Sequence, residues 1–262
     1  MTGLPEMSDG ADSELRGWDL GWSDEFDGPL GAPADPSVWH HEVGGGGWGN
    51  DELQYYTGST ENASLDGDSN LAIVVRRTGA HAGESFNSGY TSARLVTKDA
   101  MAFSYGLVTA RMKLPGGRGC WPGLWMLGDN LDEAGWPACG EIDIMEHFGD
   151  GSAVVHGTVH GPGYSGGVTA SCRAQSSLSD EFHIYTVCWE PQRIRWYLDD
   201  DLYATVTPAS LRPRPWVFDH DFFLLVNVAA GGTMAEAPGP AVTFPQTMLV
   251  DYIRVYTPAG PG

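Results

Sequence analysis

Residues 140–147 read Gly-Glu-Ile-Asp-Ile-Met-Glu-His, so three carboxylates, Glu141, Asp143 and Glu146, fall within six positions. Ile142, Ile144 and Met145 separate them, and Gly140 and Gly149 bound the run. Apolar and β-branched spacers between glycines favour a strand. Successive strand side chains point to opposite faces, which puts Glu141 and Asp143 on one face of a sheet. Glu146 stands five positions after Glu141, an odd offset, so a regular strand would turn it to the other face. Acidic groups pointing into a sandwich core are hard to tolerate. One extra residue in a β-bulge around Ile144 or Met145 restores the phase and turns Glu146 back beside the other two.

That arrangement suits glycoside chemistry. Four effective strand steps separate the Cα atoms of Glu141 and Glu146 by about 13 Å. Side chains leaning toward each other narrow this to the roughly 5–5.5 Å between the carboxyls of retaining glycosidases. One would be the nucleophile and the other the acid that protonates the leaving oxygen. Asp143 between them can hydrogen-bond one and help keep a proton on the acid. The same run also reads as a solvated acidic strand or a cation site, and spacing alone does not separate these readings.

Further segments narrow the choice. They are Gly-Gly-Gly-Gly-Trp-Gly-Asn-Asp-Glu-Leu-Gln-Tyr-Tyr-Thr (44–57), Tyr-Thr-Ser-Ala-Arg (90–94) and Trp-Pro-Gly-Leu-Trp-Met-Leu-Gly (121–128). Gly-Thr-Val-His-Gly (157–161), Asn-Val-Ala-Ala-Gly-Gly (227–232) and Val-Asp-Tyr-Ile-Arg-Val-Tyr (250–256) join them. With Glu-Ile-Asp-Ile-Met-Glu, the set resembles glycoside hydrolase family 16, in the branch that carries the extra bulge residue. The resemblance runs from about Trp22 to Tyr256 and is nearest to bacterial laminarinases. It implies an antiparallel β-sandwich of the jelly-roll, concanavalin-like kind with the active-site cleft on the concave sheet. It also implies an endo-acting, retaining β-1,3-glucanase that needs no catalytic cofactor, with Glu141 as nucleophile, Glu146 as acid/base and Asp143 assisting. Two alternatives remain: the same chemistry on mixed-linkage β-1,3-1,4-glucan or another polysaccharide, and a non-catalytic β-glucan-binding module. Binding proteins on this fold typically lose one or both catalytic Glu residues, and this chain keeps both.

Composition agrees. A chain of 262 residues can bury a substantial single core, and 36 Gly and 17 Pro dispersed along it suit many short strands and turns. The formal net charge of −20 argues against nucleic acid, anionic membrane and sulfated polymers as partners and is compatible with a neutral polysaccharide. No run of 18 or more apolar residues is present. A secretory leader pattern is absent, yet an enzyme acting on a polymer meets its substrate outside the cell, so a secreted protein with a mature or replaced N-terminus is expected. Residues 1–16 are expected to be poorly ordered, residues 17–262 to form one catalytic domain, and the chain to act as a monomer. Cys120, Cys139, Cys172 and Cys188 allow three pairings, and the sequence selects none.

Strand patterns occur throughout. The clearest are Leu71–Arg76, Gly106–Lys113, Phe182–Trp189 and Phe222–Val228, with a hairpin of Arg193–Leu198 and Leu202–Val206 across Asp199-Asp200-Asp201. No helical period extends over eleven residues. The expected architecture is two antiparallel sheets packed face to face.

Candidate ligand-binding residues cluster around the acidic run. Trp121, Gly123 and Trp125 share a strand face, and Gly123 leaves a shelf between two indoles on which a pyranose ring can lie. Core filling is the competing reading for both indoles, while Trp136, in a Gly/Pro-flanked loop, is placed at the cleft wall. Asn50, Glu52, Gln54 and Tyr56 alternate with Asp51, Leu53 and Tyr55, so their even-numbered face either lines the cleft or forms an amphipathic edge. The resemblance favours Asn50 and Glu52 as sugar contacts and points to Arg94 as a donor to sugar or to a catalytic carboxylate. It places His160 near the acid/base, whereas His147 is expected to pack or cap. Relatives often carry Ala where Gly123 stands and Trp within the segment occupied by Thr233–Glu236.

Zinc spacings and calcium-hand loops are absent. The resemblance implies a structural Ca²⁺ at Glu25, Gly67 and Asp251, the first two through backbone carbonyls. Oxygen donors suit such a hard cation. Asp251 can instead pair with Arg254.

Overall fold

The alternation of apolar and polar residues in Leu71–Arg77 becomes an alternation of buried and half-exposed side chains, and the same period recurs in Gln54–Tyr56, Ala63–Leu65 and stretches of His183–Glu190 and Gln246–Pro258. The computed structural model describes residues 17–78 and 89–259. The expectation for residues 1–16 therefore lies outside the described residues.

In chain order the strands are β1 (Trp18–Asp24), β2 (His40–His41), β3 (Gln54–Tyr56), β4 (Ala63–Leu65), β5 (Leu71–Arg77) and β6 (Tyr90–Ser92). They continue with β7 (Arg94–Val96), β8 (Gly106–Lys113), β9 (Cys120–Gly128), β10 (Glu141–Glu146), β11 (Val154–His160) and β12 (Val168–Arg173). The last are β13 (His183–Glu190), β14 (Arg193–Leu198), β15 (Asp201–Val206), β16 (Phe222–Ala230) and β17 (Gln246–Pro258). One sheet runs β15-β14-β13-β8-β17-β5-β6-β3, with β1 beside β17 and β4 beside β5. The other runs β12-β11-β10-β9-β16-β7-β2. Pairing is antiparallel apart from β3 with β6. Among the described residues there are two helices, Leu131–Ala134 and Pro208–Leu211, of four residues each. Among the described residues no helix is long and apolar enough to cross a membrane.

The expected strands are present with ends shifted by one or two residues, including the hairpin of β14 and β15. The core lies between the sheets and draws on both: Ile142, Ile144, Met145, Val155 and Val159 from one, Val108, Tyr185, Val187 and Trp196 from the other. All nine residues of β16 are buried, as a central strand requires. Behind the acidic strand, Trp196 of β14 donates its indole N–H to the main-chain oxygen of Asp143 at 2.8 Å. Gly157 makes room for that indole, since a Cβ there would stand 2.4 Å from Trp196 Cδ1. The four cysteines are free thiols, and three of them are buried.

Candidate active site

Strand β10 has the bulge that its sequence requires. Against β9, Glu141 faces Leu127 and Asp143 faces Trp125, but Met145 faces Leu124 and Glu146 faces Gly123. Ile144 is the extra residue, so the two glutamates stand opposite partners four positions apart. Ile142, Ile144 and Met145 go into the core, and Glu141 and Glu146 stay partly open on the outward face of the seven-stranded sheet. The bulge interrupts the ladder where Trp196 meets the Asp143 carbonyl, so this polar group is paired from the opposite sheet.

Each carboxylate has its own partners. Trp136, half exposed, donates its indole N–H to Glu141 Oε2 at 2.8 Å. Trp121 donates to Glu146 Oε1 at 3.0 Å. His160 Nε2 lies 3.0 Å from Asp143 Oδ2 and 3.6 Å from Glu141 Oε1, and its Nδ1–H is held by the Ser165 carbonyl at 2.9 Å. These contacts split the electrostatics. Burial, reinforced by the charges of Glu141 and Glu146, holds the Asp143 carboxyl well above the usual range. Burial lowers the His160 imidazole, but the Asp143 hydrogen bond and the charges of Asp143 and Glu141 outweigh it and push it up to about 10. The Asp143–His160 pair thus holds at least one proton at neutral pH. Burial pushes Glu146 up to about 7, opposed by the Trp121 hydrogen bond and helped by the Glu141 charge.

Beside this cluster a second network runs through the sheet. Glu52 accepts hydrogen bonds from Asn50 Nδ2 (3.2 Å), Gln54 Nε2 (2.6 Å) and Tyr56 O–H (3.4 Å), and burial raises its carboxyl. Tyr56 in turn accepts from Asn227 Nδ2 at 2.9 Å, and Asn227 Oδ1 accepts the indole N–H of Trp125 at 2.7 Å. Gln54 Oε1 receives the Ala230 N–H. The Arg94 guanidinium stacks over Trp48 at 4.8 Å and over Trp125 at 4.7 Å and pairs with Glu42.

The family model described as Glycosyl hydrolases family 16 matches residues 48–254. The chain belongs to this family. The Beta-glucanase of Rhodothermus marinus is 44% identical over 255 residues, covering 91% of this chain and 85% of that protein. The Glucan endo-1,3-beta-glucosidase A1 of Niallia circulans is 37% identical over 268 residues, covering 94% of this chain but 39% of that longer protein. The crystal structure of the laminarinase catalytic domain from Thermotoga maritima superposes with a TM-score of 0.86 at 42% identity, covering 94% of this chain and 99% of that one. The two packed sheets are accordingly the jelly roll of family 16, and its glycosidase chemistry needs no catalytic cofactor.

Within this family 16 fold several sequence expectations change. Arg94 contacts no catalytic carboxylate; it is clamped between two indoles and Glu42, and it covers one face of Trp125. His160 bonds Asp143 and approaches Glu141, its cross-strand partner, and its charge also acts on Glu146. Gln54 and Tyr56 do not line the cleft; both are buried and support Glu52. Trp121 is 8% exposed and packs on Ala229 and Ala235, so it backs Glu146 with its N–H and offers little open platform. Beside Gly123 a Cβ would meet Asn227 Oδ1 and Trp125 Cδ1 at 3.4 Å, so these two side chains border the glycine. His147 packs as expected, buried with Nδ1 on the Val154 carbonyl. Asn227 has no role in the sequence reading, although a lone Asn in the apolar run of β16 is such a signal.

Two places bear on metals. Glu141, Asp143 and His160 bring possible ligand atoms within 4.8 Å of one another, but both nitrogens of His160 already have protein partners. At the other position, Glu25 takes a two-point contact from Arg254 at 2.9 and 2.7 Å, and Asp251 Oδ2 takes Arg111 at 2.6 Å. The alternative pairing of Asp251 with Arg254 is therefore not formed. Glu25 can offer a cation only its carbonyl, as can Gly67, and Asp251 has one oxygen outside the Arg111 contact.

Proposed function

We propose that the protein is an endo-acting, retaining hydrolase of internal β-1,3-glucosidic bonds in β-glucans such as laminarin. The observation that carries the reading is the bulge-phased trio in which Glu146 keeps a proton up to about pH 7 beside Glu141. Glu141, oriented by Trp136, attacks the anomeric carbon while Glu146 protonates the departing oxygen, and a glycosyl ester forms. Esterification removes the Glu141 charge, one of the causes that raise Glu146. Glu146 then gives up its proton more readily and serves as base for the attacking water. Asp143 and His160, sharing a proton below the two glutamates, stabilise the alternating charge.

Trp125, Trp121, Trp136, Asn50, Glu52 and Arg94 are proposed to shape the sugar-binding side, Arg94 by holding Trp125 in place. The work of such an enzyme lies outside the cell, as a monomer on a soluble or gel-like polymer. A structural Ca²⁺ held by the carbonyls of Glu25 and Gly67 and by Asp251 belongs to the same proposal. One carboxylate and neutral oxygens make a modest donor set for it.

The test is reducing-sugar release from laminarin, lichenan and agarose, with Glu141→Ala in parallel. The expected result is release from laminarin that falls by at least about 10⁴-fold in the variant. Cleavage of lichenan alone would leave the chemistry and replace the linkage by mixed β-1,3-1,4-glucan. An unchanged rate in Glu141→Ala would remove the nucleophile assignment.

A further inference from the structure

Strand β10 has two unlike flanks. Toward β9 and β16 lie Trp121, Trp125, Arg94 and the Glu52 network. Toward β11 and β12 the outward side chains are His156, Thr158, Thr169 and Ser171, with Trp136 against His160 at the Glu141 end. His156 stands directly across from Glu146, and Ser171 directly across from His156. Directly opposed residues of antiparallel neighbours share a face, so the three form a row on the cleft side at about 4.8 Å per strand. Phe148, just beyond β10, stacks on His156 with ring centroids 4.4 Å apart and meets Trp121 edge-on at 5.5 Å. The Ser171 hydroxyl bonds His156 Nδ1 at 2.8 Å and fixes the imidazole on that stack. Thr158 and Thr169 form the next row, bonded at 3.0 Å. Ser171 and Thr169 are exposed.

We propose that Phe148, His156 and Ser171 form the shelf that holds the sugar on the leaving side of the scissile bond. The inference rests on the glucanase reading and deepens it. During the covalent stage one part of the chain stays bonded to Glu141, while the other must depart before water enters. The aromatic, hydrogen-bonded flank suits the part that stays. The open, hydroxyl-bearing flank suits the part that goes, because it offers one ring stack, His156 Nε2 and a serine hydroxyl without enclosing the ligand. Glu146 sits at the head of this row, where the departing oxygen takes its proton.

The same shelf seats an acceptor sugar in place of water. The acceptor hydroxyl gives its proton to Glu146, its oxygen bonds to the anomeric carbon, and the ester bond to Glu141 breaks. Charge and atoms balance without a further reactant.

The test compares kcat/KM for laminarihexaose, which places sugar on the shelf, with that for p-nitrophenyl β-laminaribioside, whose leaving group is not a sugar. His156→Ala should lose about tenfold more on the hexaose than on the aryl glycoside. Ser171→Ala, at an exposed position that leaves the fold intact, should show the same split at a few-fold. Both variants should also form less transfer product relative to hydrolysis at high acceptor concentration. Equal losses on the two substrates, or no loss on either, would overturn the shelf while leaving the glucanase reading in place. A wild type that does not cleave laminarin would overturn both.

Discussion

A glutamate that must protonate a leaving oxygen near neutral pH has to keep a proton that an ordinary glutamate has lost. Glu146 does so because burial disfavours its charge and Glu141 repels it, against the pull of the Trp121 N–H. The sign follows directly. The acid form is needed for the first step, so the alkaline limb of kcat/KM should fall as pH rises through about 7, by about tenfold per unit. A pH–rate profile on laminarin checks this, and an alkaline limb in the ordinary carboxylate range would contradict it. The shared face of the three carboxylates was legible because an odd offset between two acids in an apolar strand admits few solutions. The N–H donors were not. The sequence reads Trp121 as a sugar platform and Trp136 as part of the cleft wall, and only their spatial approach to Glu146 and Glu141 makes them partners of the carboxylates. His160 stands in the cluster expected of it, with its charge acting on Glu146, but its hydrogen bond to Asp143 depends on the β10–β11 register.

At the scale of elements, the bulge does two things at once. It returns Glu146 to the cleft, and it interrupts the ladder at the Asp143 carbonyl, which Trp196 then satisfies from the opposing sheet. Trp196→Phe keeps most of the buried ring and leaves that oxygen without its indole donor. A loss of about 1–3 kcal/mol in unfolding free energy is expected, measured by denaturant titration, with reduced turnover as Asp143 shifts. Stability equal to wild type would show that the tie carries no weight. Strand existence was readable from period and turn residues in most of the chain. The tie was not, because it links residues 53 positions apart through the sandwich interior. For the same reason the even-numbered face of residues 50–56 stays open in the sequence: alternation identifies a face, and only packing decides that Gln54 and Tyr56 point into protein.

For the whole molecule, a net charge of −20 gives a self-repelling surface suited to an uncharged polymer and unsuited to polyanions. The ion pairs Glu25–Arg254 and Asp251–Arg111 lie at the proposed calcium position and use up most of its carboxylate charge. Bound Ca²⁺ would stabilise the folded state by mass action and would not enter the chemistry. Chelation with EDTA is expected to lower Tm by about 2–4 °C for each kcal/mol of binding energy lost, with restoration on adding Ca²⁺. An unchanged Tm would remove the ion from the account. The family, the fold and the reaction class were visible in the sequence. The division of the cleft into an aromatic and a hydroxyl-bearing flank was not, because it arises from which strands the sheet order places on either side of β10.

The most direct test of the central claim is to trap the covalent intermediate. Wild-type protein would be treated with a 2-deoxy-2-fluoro-β-laminaribiosyl fluoride, digested, and sequenced by mass spectrometry. The account predicts one added glycosyl group, carried by Glu141 in the peptide that contains Glu-Ile-Asp-Ile-Met-Glu. A label on Glu146 or Asp143, or turnover with inversion and no label, would contradict it.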